Sequence, residues 1–387
     1  MTDLSLRPRL LEAFAAPFPT AQEVLKDSDI VAFGPESFLA SFHLPLMLAA
    51  GARIVLCVDD FTAKTEIQGV PVVTAAEFIR RSTGLRRPAI VDFTSYPLPQ
   101  AMCRRAGLAA GVPVFSLTQL QAAFDGAAVY QTVRDMREIT LQRADDWLAL
   151  ADRLGDDFSR ETLYAALLLR LQFDREVLRQ VNLWGRDEYF GVGARSETFV
   201  PGSREHFVDC GAHRGTVIQK LLGATGGRYA SLHAFEPDEA NHAALSQLTP
   251  VPLADFHAHR FAVSDRRETL RFAETGTMAS HVSADGNVSI EAVRIDDFVD
   301  RATFIKMDVE GYEPRALRGA RDLIARCRPR LAIASYHYAN DLLDVVDGID
   351  AIAEGYTVQM RQHYNYYYDS ILYASPRADW LPPADAA

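Results

Sequence analysis

The residues whose types and spacing could do chemistry begin at Asp209, which ends an apolar run, with Gly211 and Gly215 following in a short turn. The pattern over 217–222 predicts a helix directly after that turn. Glycines allow the backbone to approach a ligand closely, and the free N–H groups of a helix start face polar or anionic groups. The next predicted strand ends in Glu236, where a carboxylate can accept hydrogen bonds from both hydroxyls of an adenosine ribose. Together these residues predict a site for a ligand that contains adenosine.

A second set of polar residues follows two later strands of the same predicted sheet. Asp308 ends the fourth predicted strand, Glu310 comes just after it, and His337 ends the fifth. The carboxyl ends of neighbouring parallel strands meet at one edge of a sheet, so we expect these side chains to lie close together. Lys306 is in phase with Asp308, and for a lysine inside a strand we predict an ion pair with a nearby carboxylate rather than catalysis.

Each of these residues also has a purely structural alternative. Asp308 could cap the following helix, although a carboxylate at the end of an apolar strand in this position favours a functional role. Glu310 could equally be a functional site residue or a carboxylate that stabilises the start of the following helix. His337 could be a histidine with satisfied hydrogen bonds in the core, and we slightly favour a functional role for it.

The order of the elements from residue 207 onward is that of a doubly wound α/β sheet, in which apolar strands alternate with helices. The third predicted strand, 259–264, contains Ala262 and Val263 and would flank an adenine. The last two strands are joined by the tyrosine-rich loop 362–369. Its tyrosines could bind a carbohydrate or aromatic acceptor, or could simply cover the last hairpin, and the sequence favours neither alternative.

Four ordered motifs in the range of roughly 200–375 resemble the FkbM family of S-adenosylmethionine-dependent methyltransferases. The motifs are Asp209-x-Gly211-Ala212-x-x-Gly215, Phe235-Glu236-Pro237, Ile295-Asp296 and Ile305-Lys306-Met307-Asp308-Val309-Glu310-Gly311-Tyr312-Glu313. The resemblance implies a class I methyltransferase fold and methyl transfer, commonly onto a hydroxyl of a sugar, glycan or secondary metabolite. An N-methyltransferase, or a non-catalytic module that binds the donor and docks a partner, is the alternative.

The resemblance also implies which residues bind S-adenosylmethionine. The family usually has asparagine where this chain has His213, and both residues tolerate a positive φ better than most. The predicted cofactor-binding residues are Asp209, Gly211, Ala212, His213, Gly215, Glu236, Pro237, Ala262, Val263 and Asp308.

A hydroxyl acceptor is a poor nucleophile, so the site needs a general base or a metal ion that lowers the pKa of the hydroxyl. The candidate catalytic residues are His337, Asp308 and Glu310. Three firm oxygen ligands for a hard cation are not visible in the sequence. We therefore favour His337 as general base, with Asp308 as its electrostatic partner or as the acceptor anchor, over a site with a divalent metal.

The sequence before residue 196 predicts two further parts. Strands and helices alternate in the first, a Rossmann-like α/β domain that resembles small nucleotide-binding-like domains. Its Gly34 turn and Asp59 are reminiscent of a nucleotide site, but the further glycines of a pyrophosphate turn are missing, so we favour a scaffold or partner-binding module. The predicted division is an N-terminal domain at 1–128, a helical connector at 129–195, a methyltransferase domain at 196–376 and a loose tail at 377–387.

The amino-acid composition indicates the class of protein and its cellular compartment. The net charge of −11 argues against a nucleic-acid-binding protein, because phosphate binding needs clustered positive charge. The four cysteines lack metal-ligand spacing and indicate a reducing compartment. The sequence shows neither a good signal peptide nor an apolar run long enough for a bilayer, and only four of its 40 basic residues are lysines. We expect a bacterial, cytoplasmic protein without a membrane partner, in which the N-terminal or helical region could mediate a homo-oligomer.

Overall fold

The structure, a computed structural model, divides into two compact units, which are residues 1–144 with 164–180 and residues 145–163 with 181–387. Each unit therefore takes part of the predicted connector, 129–195. No helix within the described ranges is both long and apolar enough to cross a membrane. The residues described are 5–16, 25, 27–94, 96–116, 119, 131–172, 174–183, 188–191, 197–245, 247–248, 254–274, 281–364 and 369–377.

Two predicted segments fall partly or mostly outside those ranges. Within the tyrosine-rich loop 362–369, residues 365–368 are not described. Of the predicted tail 377–387, only Arg377 is described.

The first unit is built on a sheet whose strands are β1 (Ile30–Phe33), β2 (Ile54–Val58), β3 (Glu66–Ile67), β4 (Val70–Val73), β5 (Ala89–Asp92) and β6 (Val114–Ser116). Among the described residues their order is β3-β4-β2-β1-β5-β6, and β3 pairs antiparallel while the other pairs are parallel. The predicted parallel α/β arrangement is confirmed. The helices in this part of the chain are α1 (Arg7–Ala15), α2 (Phe38–Ala49), α3 (Ala75–Arg81), α4 (Pro97–Ala110) and α5 (Gln131–Gln142).

Local sequence explains where these elements begin. The Ser37 side chain accepts a hydrogen bond from the backbone N–H of Ala40, and Thr74 does the same for Glu77, so each helix start satisfies one of its free donors. Strand β1 is buried along its whole length, which is typical of a parallel sheet covered on both faces.

The carboxyl ends of β1 and β5 are closed by polar groups that satisfy one another. Arg175, whose side chain is 2% exposed, pairs with Asp92 and donates a hydrogen bond of 2.7 Å to the carbonyl oxygen of Thr94. A Cβ at Gly34 would lie 2.5 Å from the Thr94 methyl group, so the turn after β1 packs directly against that residue. This packing agrees with a scaffold, although the role of the N-terminal region stays a prediction.

The second unit contains a sheet with the strand order β16-β17-β15-β14-β7-β8-β9 among the described residues, in which β17 alone runs antiparallel to its neighbours. Strands β8 and β9 lie on one side of β7, and β14 and β15 on the other. The chain order therefore reverses between β7 and β14, where doubly wound sheets bind their ligands. The bounds are β7 (His206–Cys210), β8 (Ser231–Phe235), β9 (Phe256–His259), β14 (Phe304–Met307), β15 (Arg330–Ala334), β16 (Tyr356–Gln362) and β17 (Ser370–Pro376).

Helices cover this sheet and join its strands. Helix α7 contributes residues to both units. The helices are α6 (Ala144–Arg153), α7 (Asp157–Gln172), α8 (Thr216–Thr225), α9 (Glu239–Leu245), α10 (Glu313–Gly319), α11 (Arg321–Cys327) and α12 (Asp341–Ile352). Short 3-10 turns lie at Arg175–Gln180, Glu197–Phe199 and Ile295–Asp297.

A small second sheet corrects one predicted strand. The third strand of the large sheet ends at His259, and Ala262–Val263 instead pairs with Ala292 and Val293 in the small sheet. The apolar run continues through this segment, and periodicity alone does not show that the chain passes from one sheet to another. The small sheet has the order β10-β13-β11-β12, with bounds β10 (Ala262–Val263), β11 (Glu268–Ala273), β12 (His281–Val282) and β13 (Val288–Val293).

An aromatic cluster holds the central strands of the second unit in place. Phe207 on β7 and Phe304 on β14 are fully buried, with ring centroids 5.4 Å apart in an edge-on arrangement. Phe190 lies 5.4 Å from Phe304. Burying a phenylalanine side chain contributes about 1.5–3 kcal/mol. A rigid aromatic core thus packs against the amino-terminal ends of β7 and β14.

We expect Arg175→Met to destabilise the first unit, because it leaves the buried Asp92 carboxylate without its cation. Removal of one partner of a buried ion pair costs about 3–5 kcal/mol. Scanning calorimetry should show the unfolding transition of this unit at a lower temperature. Arg179→Met, at a side chain that is 57% exposed, is the control and should leave the transition in place. Equal transition temperatures for the two variants would contradict the structural role of Arg175.

Candidate active site

The turn between β7 and α8, residues 211–215, is shaped by its backbone. Gly211 has φ +76°, and a Cβ there would lie 1.8 Å from the carbonyl oxygen of Asp308, so only glycine allows this close approach of the two strand ends. His213 has φ +49°, as the sequence predicted it could, and Gly215 precedes α8 with φ +81°. We call residues 211–215 the glycine turn.

A buried ion pair lies under the glycine turn. Lys306 Nζ is 3.1 Å from Asp209 Oδ1, and the two side chains are 3% and 0% exposed. The ammonium group also donates hydrogen bonds to the carbonyl oxygens of Gly211 at 2.7 Å and Cys210 at 3.3 Å. The predicted ion pair of Lys306 is confirmed. Asp209 thus acts on the turn through Lys306 and does not border the cavity described below.

Lys306 stays charged in this environment. Burial would lower its pKa, but the carboxylates of Asp209 and Asp308 outweigh that effect and hold the pKa above its ordinary value. A permanent cation therefore fixes two successive carbonyl oxygens of the turn.

Glu236, just after β8, is held by backbone hydrogen bonds. Its Oε2 accepts from the N–H of His213 at 2.7 Å, and its Oε1 accepts from the N–H of Asp238 at 2.9 Å. Burial raises the pKa of this carboxyl to about 7. Each oxygen retains a lone pair for a further donor, so the group is oriented for a ligand with two hydroxyls.

The glycine turn and Glu236 border a cavity of about 390 Å³, which is within the usual range for small-molecule sites. The predicted site residues Asp209, Gly215 and His337 are not among the residues that border this cavity. One part of the wall is apolar, formed by Phe235, Phe261, Val263, Phe272 and Val282. The predicted site residues on the wall are Gly211, Ala212, His213, Glu236, Pro237, Ala262, Val263, Asp308 and Glu310.

Asp308 borders the same cavity and is oriented by two tyrosines. Tyr189 donates its hydroxyl to Oδ2 at 3.0 Å, and Tyr336 donates to Oδ1 at 3.1 Å. Burial raises the pKa of both tyrosines well above the ordinary value, and the Asp308 charge adds to this. Both hydroxyls therefore keep their protons and act as donors that fix the carboxylate.

His337 lies behind Asp308 among three carboxylates. Its Nδ1 is 3.2 Å from Glu313 Oε1, and its Nε2 is 3.5 Å from Asp308 Oδ1 and 3.6 Å from Glu310 Oε2. Burial would lower the pKa of His337, but the carboxylates, with Glu313 first, raise it to about 10. A ring that carries its proton at neutral pH cannot accept another, so this charge state does not fit the predicted general-base role.

Several residues on this site had no clear sequence signal. Tyr189 reaches Asp308 across 119 positions of the chain, and no local pattern links them. Lys220, Tyr336 and Asp369 also border the cavity. Glu313 is the last residue of the motif that contains Asp308, and no function was predicted for it. In the structure its side chain is completely buried at the start of α10, where glutamate is usually exposed, and it contacts His337.

Comparison with known proteins fits this geometry. Residues 209–357 match the family model described as the methyltransferase FkbM domain. The structure is similar to the crystal structure of methyltransferase FkbM from Methylobacillus flagellatus KT, with a TM-score of 0.79 and 27% identity over 96% of this chain and 99% of that one. Residues 209–357 form an FkbM methyltransferase domain. The chain is an S-adenosylmethionine-dependent methyltransferase with a class I fold.

Two other solved structures match just under half of this chain. A putative rRNA-methylase from Clostridium thermocellum has 14% identity and a TM-score of 0.30, covering 45% of this chain and 87% of that one. An rRNA methylase from Streptococcus thermophilus has 16% identity and a TM-score of 0.29, covering 46% and 91%. No curated protein matches the sequence.

We expect Lys306→Met to destabilise this FkbM-type domain by about 3–5 kcal/mol, because Asp209 would remain buried without its cation. Lys306→Met combined with Asp209→Asn should cost less than Lys306→Met alone, since it leaves no uncompensated charge. Urea unfolding followed by circular dichroism measures both, with Arg228→Met at an exposed position as the control. A double variant as unstable as Lys306→Met alone, or more so, would contradict the pairing.

Proposed function

We propose that the protein is an O-methyltransferase that transfers the methyl group of S-adenosylmethionine to a hydroxyl of a sugar, glycan or secondary metabolite. The observation that carries the proposal is the Asp308 carboxylate, which two tyrosine hydroxyls orient on the wall that also holds Glu236 and the glycine turn. A carboxylate fixed beside a donor site can orient the hydroxyl of an acceptor.

The residues present fit the donor. Glu236 has its free lone pairs available for the two ribose hydroxyls, and Phe235, Phe261 and Val263 offer an apolar wall for an adenine. Gly211 has no side chain that would keep a ligand from the turn. S-adenosylmethionine, when bound, supplies an electrophilic methyl group on a positively charged sulfur.

The charge of the cavity favours a cationic donor. Carboxyl groups on its wall outnumber ammonium groups, and Lys306 is already paired with Asp209. Burial raises the pKa of Glu236, Glu310 and Asp369 to about 7, so this excess of negative charge is complete only above pH 7. A wall with one sign of charge in a partly buried site attracts ligands of the opposite sign. The carboxylates on the wall are Glu188, Glu236, Asp308, Glu310 and Asp369, and the ammonium groups are Lys220 and Lys306.

On the acceptor side, we assign Asp308 to orienting the hydroxyl that is methylated. Its carboxylate accepts hydrogen bonds, and a hydroxyl donated to it would be held with its oxygen lone pairs free for the methyl group. His337 lies behind Asp308, with its Nε2 3.5 Å from Asp308 Oδ1 and 3.6 Å from Glu310 Oε2.

We expect donor affinity to rise with pH through the pKa of Glu236. Only the ionised carboxylate accepts both ribose hydroxyls, and burial places its pKa at about 7 in the free protein. Binding measured by calorimetry should therefore be about tenfold weaker at pH 6 than on the plateau above pH 8, since one unit below the pKa leaves about one tenth of the group ionised.

Glu236→Gln is the matched control for this prediction. It keeps the shape of the side chain and cannot titrate. Any remaining pH dependence therefore belongs to other groups, which are the amino group of the donor and the wall carboxyls Glu310 and Asp369, whose pKa values burial raises to about 7. The variant should bind more weakly than the wild type at pH 8, by about 2–3 kcal/mol for loss of charge-assisted hydrogen bonds. Equal affinity at pH 8, or an equal pH profile, would remove Glu236 from the donor site.

The methylation itself is tested by product analysis. The purified protein is incubated with isotopically labelled donor and small-molecule and glycan extracts, and mass spectrometry identifies what gains a methyl group and on which atom. Labelled oxygen supports the proposal, labelled nitrogen identifies an N-methyltransferase, and donor binding without product supports a non-catalytic module.

With an acceptor identified, Asp308→Asn should lower kcat by about 100-fold, because misplacing a reacting group by about 1 Å can cost that much. Donor affinity should change by less than about threefold, because Glu236 and the glycine turn remain intact. Asp344→Asn, at an exposed position, is the control and should keep the wild-type rate. An unchanged kcat in Asp308→Asn would exclude the assigned role.

A further inference from the structure

We propose that Asp308, Glu313 and His337, with Glu310 at the edge of the group, form a binding site for a divalent cation. We call these four residues the cation cluster. Mixed carboxylate and imidazole ligands suit Mn²⁺, which accepts both oxygen and nitrogen donors. The binding itself is independent of the reaction, and its use in catalysis rests on the proposed function.

The spacing of the ligand atoms fits a shared cation. One ligand atom from each of Asp308, Glu313 and His337 lies within 4.8 Å of the other two. With metal–ligand bonds of about 2.0–2.2 Å, neighbouring ligands on one cation are separated by about 3.0–3.6 Å. The distances of 3.5 Å and 3.6 Å from His337 Nε2 to the oxygens of Asp308 and Glu310 are in this range. They are too long for charge-assisted hydrogen bonds of about 2.7–2.9 Å.

Unsatisfied buried atoms point to the same site independently. His337 Nε2 and the Oε2 atom of Glu313 are buried without a hydrogen-bond partner, whereas His337 Nδ1 faces Glu313 Oε1 at 3.2 Å. The two side chains are only 10% and 0% exposed. Buried polar atoms in proteins nearly always have a partner, so two such atoms in one cluster indicate a ligand that is neither a side chain nor the backbone.

Three carboxyl groups surround one imidazole in the cluster. Asp308, Glu310 and Glu313 each place an oxygen within 3.6 Å of a ring nitrogen of His337. Lys306 does not belong to this group, because it is paired with Asp209. A divalent cation is a ligand that several carboxyl groups can share.

The surroundings supply the support that metal ligands usually have. Tyr189 and Tyr336 donate hydroxyls to Asp308, and the N–H of Val309 donates to Glu313 Oε1 at 2.8 Å. Outer hydrogen bonds of this kind orient ligands and tune their basicity. Two of the carboxylates are therefore already fixed in the positions that a cation needs.

A cation here would explain how the acceptor hydroxyl is activated. Coordination lowers the pKa of a hydroxyl, so its proton passes to bulk water and the oxygen carries the negative charge beside the cation. The oxygen then forms a bond to the donor methyl carbon. The sulfur–carbon bond breaks, and its electron pair stays on the sulfur, which becomes a neutral thioether. Atoms and charge balance without a redox partner.

The test uses the full-length protein, stripped of metal by chelator and dialysis, with Mn²⁺ as the probe. Electron paramagnetic resonance measures free Mn²⁺ during titration, with and without S-adenosylhomocysteine. We expect one Mn²⁺ per chain, and at least tenfold weaker binding in Glu313→Gln and in Glu310→Gln. Glu354→Gln, at an exposed position, should bind like the wild type.

Glu310→Gln is included because Glu313 is fully buried and its variant could fail to fold, whereas Glu310 has a 38% exposed side chain. Circular dichroism establishes that each variant is folded before titration. Absence of Mn²⁺ binding to the wild type overturns the proposal. Wild-type affinity for Mn²⁺ in both Glu310→Gln and a folded Glu313→Gln also overturns it.

Activity separates this proposal from the proposed function. If Mn²⁺ binds as described and methyl transfer to oxygen is lost on chelation and restored by Mn²⁺, both stand. If Mn²⁺ binds but no acceptor is methylated, the cation site stands and the proposed function fails. If methyl transfer to oxygen proceeds at the same rate in the stripped protein, the proposed function stands and the catalytic use of the cation is overturned.

Discussion

The active site depends on the buried ion pair between Lys306 and Asp209. These residues are directly opposite each other on β14 and β7, the two strands between which the chain order reverses. A buried ion pair is a weak source of net stability, because removing both charges from water costs about as much as their attraction returns. Its effect here is geometric. The ammonium group binds the carbonyl oxygens of Cys210 and Gly211, so the glycine turn can take only the position that this cation allows.

Strand β14 also connects the ion pair to the residue that faces the ligand. Lys306 and Asp308 are two positions apart, and successive residues of a strand point to opposite faces, so both project toward the same side. Lys306 lies beneath the glycine turn and Asp308 comes after the strand end, where it borders the cavity. The position of Asp308 relative to the turn is therefore set by one short stretch of backbone. The close contact between the Asp308 carbonyl and Gly211 leaves that stretch little freedom.

Local patterns in the sequence were sufficient for most of the fold, because buried parallel strands appear as short apolar runs between helices. They were insufficient for Ala262–Val263, where the run continues although the chain has changed sheets. For the site, the glycine turn, Glu236 and Asp308 could be predicted because strand ends are local features and the topology brings them together. The contact of Tyr189 with Asp308 could not, since it joins distant segments. The charge state of His337 also could not, since it is set by three carboxylates whose positions only the folded chain fixes.

The two units show that a strand, a glycine and a helix do not by themselves make a ligand site. Gly34 and Gly211 both follow a buried strand with a positive φ. In the first unit the nearby carboxylate, Asp92, pairs with the Arg175 guanidinium at the strand ends, so the polar groups there satisfy one another. In the second unit the cation is Lys306, which sits beneath its turn and takes up Asp209, while Glu236 and Asp308 remain directed at the cavity. The position of one buried cation thus decides whether the carboxylates at a strand end form ion pairs within the protein or remain available to a ligand.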